Sequence, residues 1–173
     1  MIKVPALAPS LMVLILTAGS MACVTLEQLR GLVQAPQFSE VDDQRAEIRL
    51  VGPSASAPLG GAAIRLWTRV RNPNAFGLTL ATLRGSLFLE GSRAAEADFP
   101  LGLPLTAGGD SVIPLDLRVS FSDVPGLANA IRRAVSGEPL AYRLNGTVGV
   151  DARQFGTPTF GPMDLLTGNI RTR

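Results

Sequence analysis

The chain has 173 residues, 46% hydrophobic and 17% charged, with a formal net charge of +2. Such a composition supports a packed core and argues against wholesale disorder, and the basic residues form no stripe of the kind nucleic acid requires. Because histidine is absent and Cys23 is the only cysteine, an intrachain disulfide, a Ser-His-Asp or Cys-His pair and a His/Cys zinc site are all excluded.

Residues 1–22 read as an export signal. Lys3 is followed by an apolar run, densest over residues 11–16, and then by small residues ahead of Cys23. That is the layout of a secretory signal peptide. Pro5 and Pro9 interrupt the run, and it falls short of the roughly 20 residues a spanning helix needs. The tetrad Ser20-Met21-Ala22-Cys23 resembles a bacterial lipobox, after which the cysteine becomes the lipidated first residue. Ser20 and Ala22 equally suit an ordinary signal peptidase, which would leave a free N-terminal thiol. Lipidation is the preferred reading, because an unpaired cysteine in an oxidising compartment otherwise needs an explanation. Acyl chains on Cys23 would hold the protein at a membrane of the cell envelope without a spanning helix. Val24 is not the aspartate that retains lipoproteins at the inner membrane, so outer-membrane placement is allowed.

Residues 23–37 read as a tether, and 38–173 as one domain. Residues 38–51 alternate, with Ala46, Ile48 and Leu50 set against Glu47 and Arg49. Residues 52–61 form a turn-rich loop. Residues 62–71 then place Ala62, Ile64, Leu66, Thr68 and Val70 on one strand face, with Arg65, Trp67, Arg69 and Arg71 on the other. Alternation continues over 78–89, a turn at Gly91-Ser92 leads into 93–101, and alternation returns over 111–121, where Pro114 favours an edge strand or bulge. One segment breaks the two-residue period. Leu127, Ile131 and Val135 recur at helical spacing, Ser122 or Asp123 can cap, Pro125 suits the first turn, and Gly137 can end the helix. Residues 140–150 return to alternation, and the turn-rich stretch 156–168 leads to 169–173. Short strands separated by Gly/Pro turns, with one short helix near 124–135, predict an all-β, two-sheet antiparallel sandwich.

The triplet Asn72-Pro73-Asn74 interrupts two alternating runs. Pro73 lacks an N–H and cannot extend an interior ladder, Asn72 is pushed toward extended geometry, and Asn74 can close a turn. Read locally, the triplet is a structural turn. Its setting adds more: AEIRLVG before the loop, LPLTAGGDSVIPLDLRVSF after it, then a helix and LAYRLNGTVGVD. That order resembles the type 2 late embryogenesis abundant (LEA) family, also called the WHy domain, over about residues 38 to 170. The resemblance implies a fibronectin-III-like sandwich and a non-enzymatic part in desiccation and stress tolerance, commonly described as protecting other proteins. Bacterial members often carry export or lipoprotein signals, in agreement with Cys23.

Other constellations carry less. Arg65, Trp67, Arg69 and Arg71 form either an interaction face or a solvated sheet face with one aromatic among arginine stems, and the second is favoured. Glu40, Asp42, Asp43 and Glu47 lack the glycine-punctuated spacing of a calcium loop. Gly60-Gly61 and Gly108-Gly109 lack the Lys-Ser/Thr of a phosphate loop. The expectation is a cofactor-free, membrane-anchored envelope protein that contacts client or envelope proteins. The alternatives are an assembly subunit docking one partner and, least favoured, a carboxylate-dependent hydrolase.

Overall fold

The computed structural model describes residues 32–55, 57–121 and 128–172. The signal segment, Cys23 and the expected helix cap at Ser122 or Asp123 lie outside them. Among the described residues, eight strands and one α-helix follow in order: β1 Gln37–Glu40, β2 Glu47–Val51, β3 Gly61–Arg71, β4 Leu78–Leu89, β5 Ser92–Leu105, β6 Asp110–Ser120, α1 Ala128–Val135, β7 Leu140–Asp151 and β8 Thr159–Thr172. A 3-10 turn, Arg153–Phe155, precedes β8.

β3 organises the first limb of the sheet. Along one edge it pairs with β1 at its C-terminal end (Gln37↔Arg71 to Glu40↔Thr68) and with β2 at its N-terminal end (Glu47↔Arg65 to Val51↔Gly61). The run expected over residues 38–51 is thus two short strands, with residues 41–46 leaving the sheet between them. Along the other edge β6 pairs with β3 from Gly61↔Ser120 to Arg71↔Asp110. β6 has no other ladder partner among the described strands, so the missing N–H of Pro114 leaves no interior hydrogen bond unmade.

The second limb runs β5-β4-β7-β8, antiparallel throughout. Where the sequence predicts two separate antiparallel sheets, the hydrogen bonding is continuous. The end of β8 lies parallel to β2 (Glu47↔Arg171, Ile48↔Thr172) and makes the whole one mixed, eight-stranded sheet. The inward faces of both limbs supply a single core that includes Leu66 and Leu115 from the first and Leu83, Leu87, Leu144 and Ile170 from the second. At the centre of the second limb Gly85 pairs with Gly146. A methyl group on either would run into the facing backbone, so β4 and β7 approach there as only glycine permits.

The ends of elements follow local chemistry. β4 and β5 are joined by Glu90-Gly91, both at positive φ (48° and 79°), the signature of a tight two-residue hairpin. Glu90 accepts from the Ala141 N–H (2.7 Å) and from Arg133 (2.6 Å), which ties the hairpin to β7 and to α1. α1 ends in a Schellman arrangement: Glu138 N–H donates to Arg133 O, Gly137 N–H donates to Ala134 O, and Gly137 has φ 71°. Its buried residues include Ala130 and Ala134, whereas Val135, expected on the apolar stripe, is exposed. β8 corrects the sequence reading most: residues 159–168 of the stretch read as turns belong to a 14-residue strand. Its ladder with β7 absorbs the local irregularity in register shifts at Leu144/Asn145 and Gly146/Val148.

Candidate functional site

The outward face of β3 carries all four candidate contact residues. Arg65 lies between Glu47 of β2 and Asp116 of β6. Its guanidinium holds Asp116 through two hydrogen bonds, Nε to Oδ1 at 2.6 Å and a terminal nitrogen to Oδ2 at 3.0 Å. That two-pronged bond lowers the Asp116 pKa and raises that of Arg65. The Arg65 guanidinium also stands 6.0 Å from the centroid of the Trp67 ring, at the outer limit of a cation–π contact. Trp67 is half-buried and faces Pro114 across the ladder, and the partly exposed Val112 lies opposite Arg69. Arg69 donates to Asp110 at 2.9 Å, and Arg71 closes the strand between Gln37 and Asp110.

The face is therefore a small apolar island, Trp67-Pro114-Val112, bordered by arginines of which two are bonded to aspartates of the neighbouring strand. It can make contact with another surface. Exposed ion pairs of this kind contribute little to stability and are screened by salt.

The triplet after β3 is built inward. Asn72 and Asn74 are buried, at 0% and 3% exposure, so their amides must find partners inside the protein. Asn72 Nδ2 donates to Phe76 O (2.8 Å) and Thr106 O (2.9 Å), while Asn72 Oδ1 accepts from the Asn74 N–H (3.0 Å). That last bond is an Asx turn made by Asn72, whereas the local reading had Asn74 closing the turn. Asn74 reaches the other way: its Oδ1 accepts from the Gln34 N–H (2.8 Å) and its Nδ2 donates to Gln34 O (3.0 Å). Backbone bonds from Asn72 to Gly109 and from Gly108 to Asn74 complete the clasp. The triplet thus joins three segments: the β3–β4 connection, the β5–β6 turn and the N-terminal approach. Val33 is buried beside it, so packing begins ahead of the expected domain start at residue 38.

A second polar contact was not foreseen from sequence. Tyr142, almost fully buried, donates to Glu40 Oε1 at 2.7 Å. Burial, reinforced by that bond, pushes the phenol above its usual range. A methyl group on Gly168 would run into the same carboxylate, so Glu40, Tyr142 and Gly168 fit together at the meeting of β1, β7 and β8. Nothing in the spacing of residues 40, 142 and 168 signals this meeting, which depends on the β8 register. Among the described residues, no three His, Cys, Asp or Glu side chains are gathered to hold a metal, and no helix is long and apolar enough to cross a membrane.

These elements define a β-rich domain with a sealed core, an inward-bonded clasp and an outer face suited to surface contact. The model of the late embryogenesis abundant protein family, type 2, matches residues 68–165, and the chain belongs to that family. The match takes in the triplet, the β5–β6 turn and the first half of β8. A protein of Arabidopsis thaliana solved in solution shares the fold at a TM-score of 0.60 and 17% identity, over 82% of this chain and 85% of its own. The solution structure of a late embryogenesis abundant (LEA) protein aligns at a TM-score of 0.51 and 18% identity, over 84% of this chain and 79% of its own. No curated protein matches the chain.

Proposed function

We propose that this protein is a non-enzymatic member of the family, anchored in the cell envelope, that protects proteins or envelope components during desiccation or comparable stress by surface contact. The observation that carries the reading is family membership across the centre of the domain. The layout of residues 1–23 supports export and acylation of Cys23, which would place the domain beside a membrane. In this reading the two limbs close on their shared core as a sandwich, joined along one side by β2 and β8 and leaving the outer faces as the working surfaces. The Trp67-Pro114-Val112 island with its flanking arginines is the contact face, and no cofactor takes part.

Mass spectrometry of the mature N-terminus tests the anchor. The proposal expects an acylated Cys23, with Cys23→Ser giving a soluble or unprocessed product. Unchanged membrane fractionation of that variant would sink it. A dedicated assembly subunit would instead co-purify with one partner and protect no unrelated enzyme.

A further inference from the structure

Where β1 gives way to β2 along the edge of β3, residues 41–46 leave the sheet and a groove of about 950 Å³ opens. Trp67 borders it on the β3 side, and Tyr142, Asn169 and Arg171 border it on the β7–β8 side. We infer that this groove is a binding site for a neutral saccharide, one not implied by the protective role proposed above.

The inference rests on the kind of polar groups the groove gathers. Among the described residues, three carboxylates (Glu40, Asp42 and Glu47) line it together with two guanidiniums (Arg45 and Arg171). Opposed charges of that number give no strong field to select an anion or a cation. Elsewhere, Arg65, Arg69, Arg84 and Arg143 are each met by an aspartate. Arg45 and Arg171 form no ion pair with another described residue, so their N–H groups are available as donors. Glu40 is fixed by the Tyr142 hydroxyl through Oε1, which leaves Oε2 as an acceptor already in position. The exposed Asn169 amide offers both donor and acceptor.

A vicinal pair of sugar hydroxyls donates and accepts at once, so it needs planar groups of both kinds side by side, with an aromatic surface for the apolar C–H side of the ring. The groove supplies that set, and its volume is within the range of small-molecule sites. An apolar chain would strip water from Asp42, Arg45 and Arg171 without replacing the hydrogen bonds. An added peptide strand would need a continuous free edge, and the 41–46 excursion interrupts the edge of β3 at this place.

Trp67 is the only tryptophan in the chain, so its fluorescence reports on the groove directly. The full chain, in a detergent without sugar headgroups, is titrated with maltotetraose and with chitotetraose. A saturable change with at least one of them is expected. Asn169→Ala and Arg171→Ala, both at exposed positions, should each weaken it about tenfold or less with unchanged melting, as loss of one or two hydrogen bonds implies. Arg118→Ala, on the outward face of β6, should not alter it. Absence of a saturable response to either tetrasaccharide would overturn the inference. So would a response only to a reduced, unfolded polypeptide, or sugar binding that both groove variants leave intact.

Discussion

The Tyr142 hydroxyl donates to Glu40 Oε1 across 2.7 Å, joining positions 102 residues apart. It does so beside β8, where Gly168 lies opposite Tyr142 in the ladder. Replacing Tyr142 by Phe keeps the ring but leaves the carboxylate without its donor, and should cost about 1–3 kcal/mol in urea unfolding. The folded state raises the phenol above its ordinary value of 10.0. Its contribution is therefore fully present below pH 10 and is lost as pH rises further, because the unfolded chain releases the proton first. Tyr142 is the only tyrosine, so absorbance of the phenolate follows it alone. The wild type should ionise late and lose stability above pH 10, and Tyr142→Phe should lack that component of the alkaline decline.

Gly168→Ala should act through the same contact. The added methyl group meets the Glu40 carboxylate and the Tyr142 ring, so Glu40 must move and its bond to Tyr142 must break. The losses from Gly168→Ala and Tyr142→Phe should then be non-additive, with a coupling of about 0.5–3 kcal/mol in a double-mutant cycle. Additive losses would mean that the two residues act separately.

The clasp predicts a large effect at a residue that reads locally as a turn. Asn74→Ala removes bonds to both backbone groups of Gln34 and to Asn72, and should destabilise by about 2–4 kcal/mol because buried groups lose partners. Amide exchange should accelerate at Gln34. Asn145→Ala, which removes only an exposed bond to Asp164, should stay within about 0.5 kcal/mol.

On the acid side, Asp116 is the group to follow. Its bonds to Arg65 lower its pKa below the ordinary 3.8. The stabilisation is therefore present above that value and is lost as pH falls through the depressed pKa. Asp116→Asn should narrow the gap to wild type as pH drops below 3.8, by a small amount, since both side chains are largely exposed. A gap that widened in acid would contradict the assignment.

The strands with strict alternation were legible in the sequence. Ile64, Leu66 and Val70 in β3 and Leu115, Leu117 and Val119 in β6 are buried as their period requires. β8 was not legible, because Gly156, Pro158, Gly161, Pro162 and Gly168 read as turn residues. Only the ladder with β7 shows that they are accommodated within and beside a strand. The continuity of the sheet depends on two pairs between β2 and β8, a parallel register that no local pattern encodes. The Asn-Pro-Asn break was visible, but the burial of its amides was not: turn chemistry is local, while the partners at Gln34 and Thr106 lie 40 and 34 residues away. The outward set of β3 followed from alternation, whereas the aspartates that meet Arg65 and Arg69 follow from the β6 register.

Protection by surface contact is tested most directly by drying several unrelated enzymes, each with and without an equimolar amount of this protein, and measuring the activity that returns on rehydration. The account predicts recovery above that given by an equal mass of an inert globular protein for every enzyme, and less recovery with Trp67→Ser at unchanged melting temperature. Recovery no better than the inert control, together with co-purification of one dedicated partner, would contradict it.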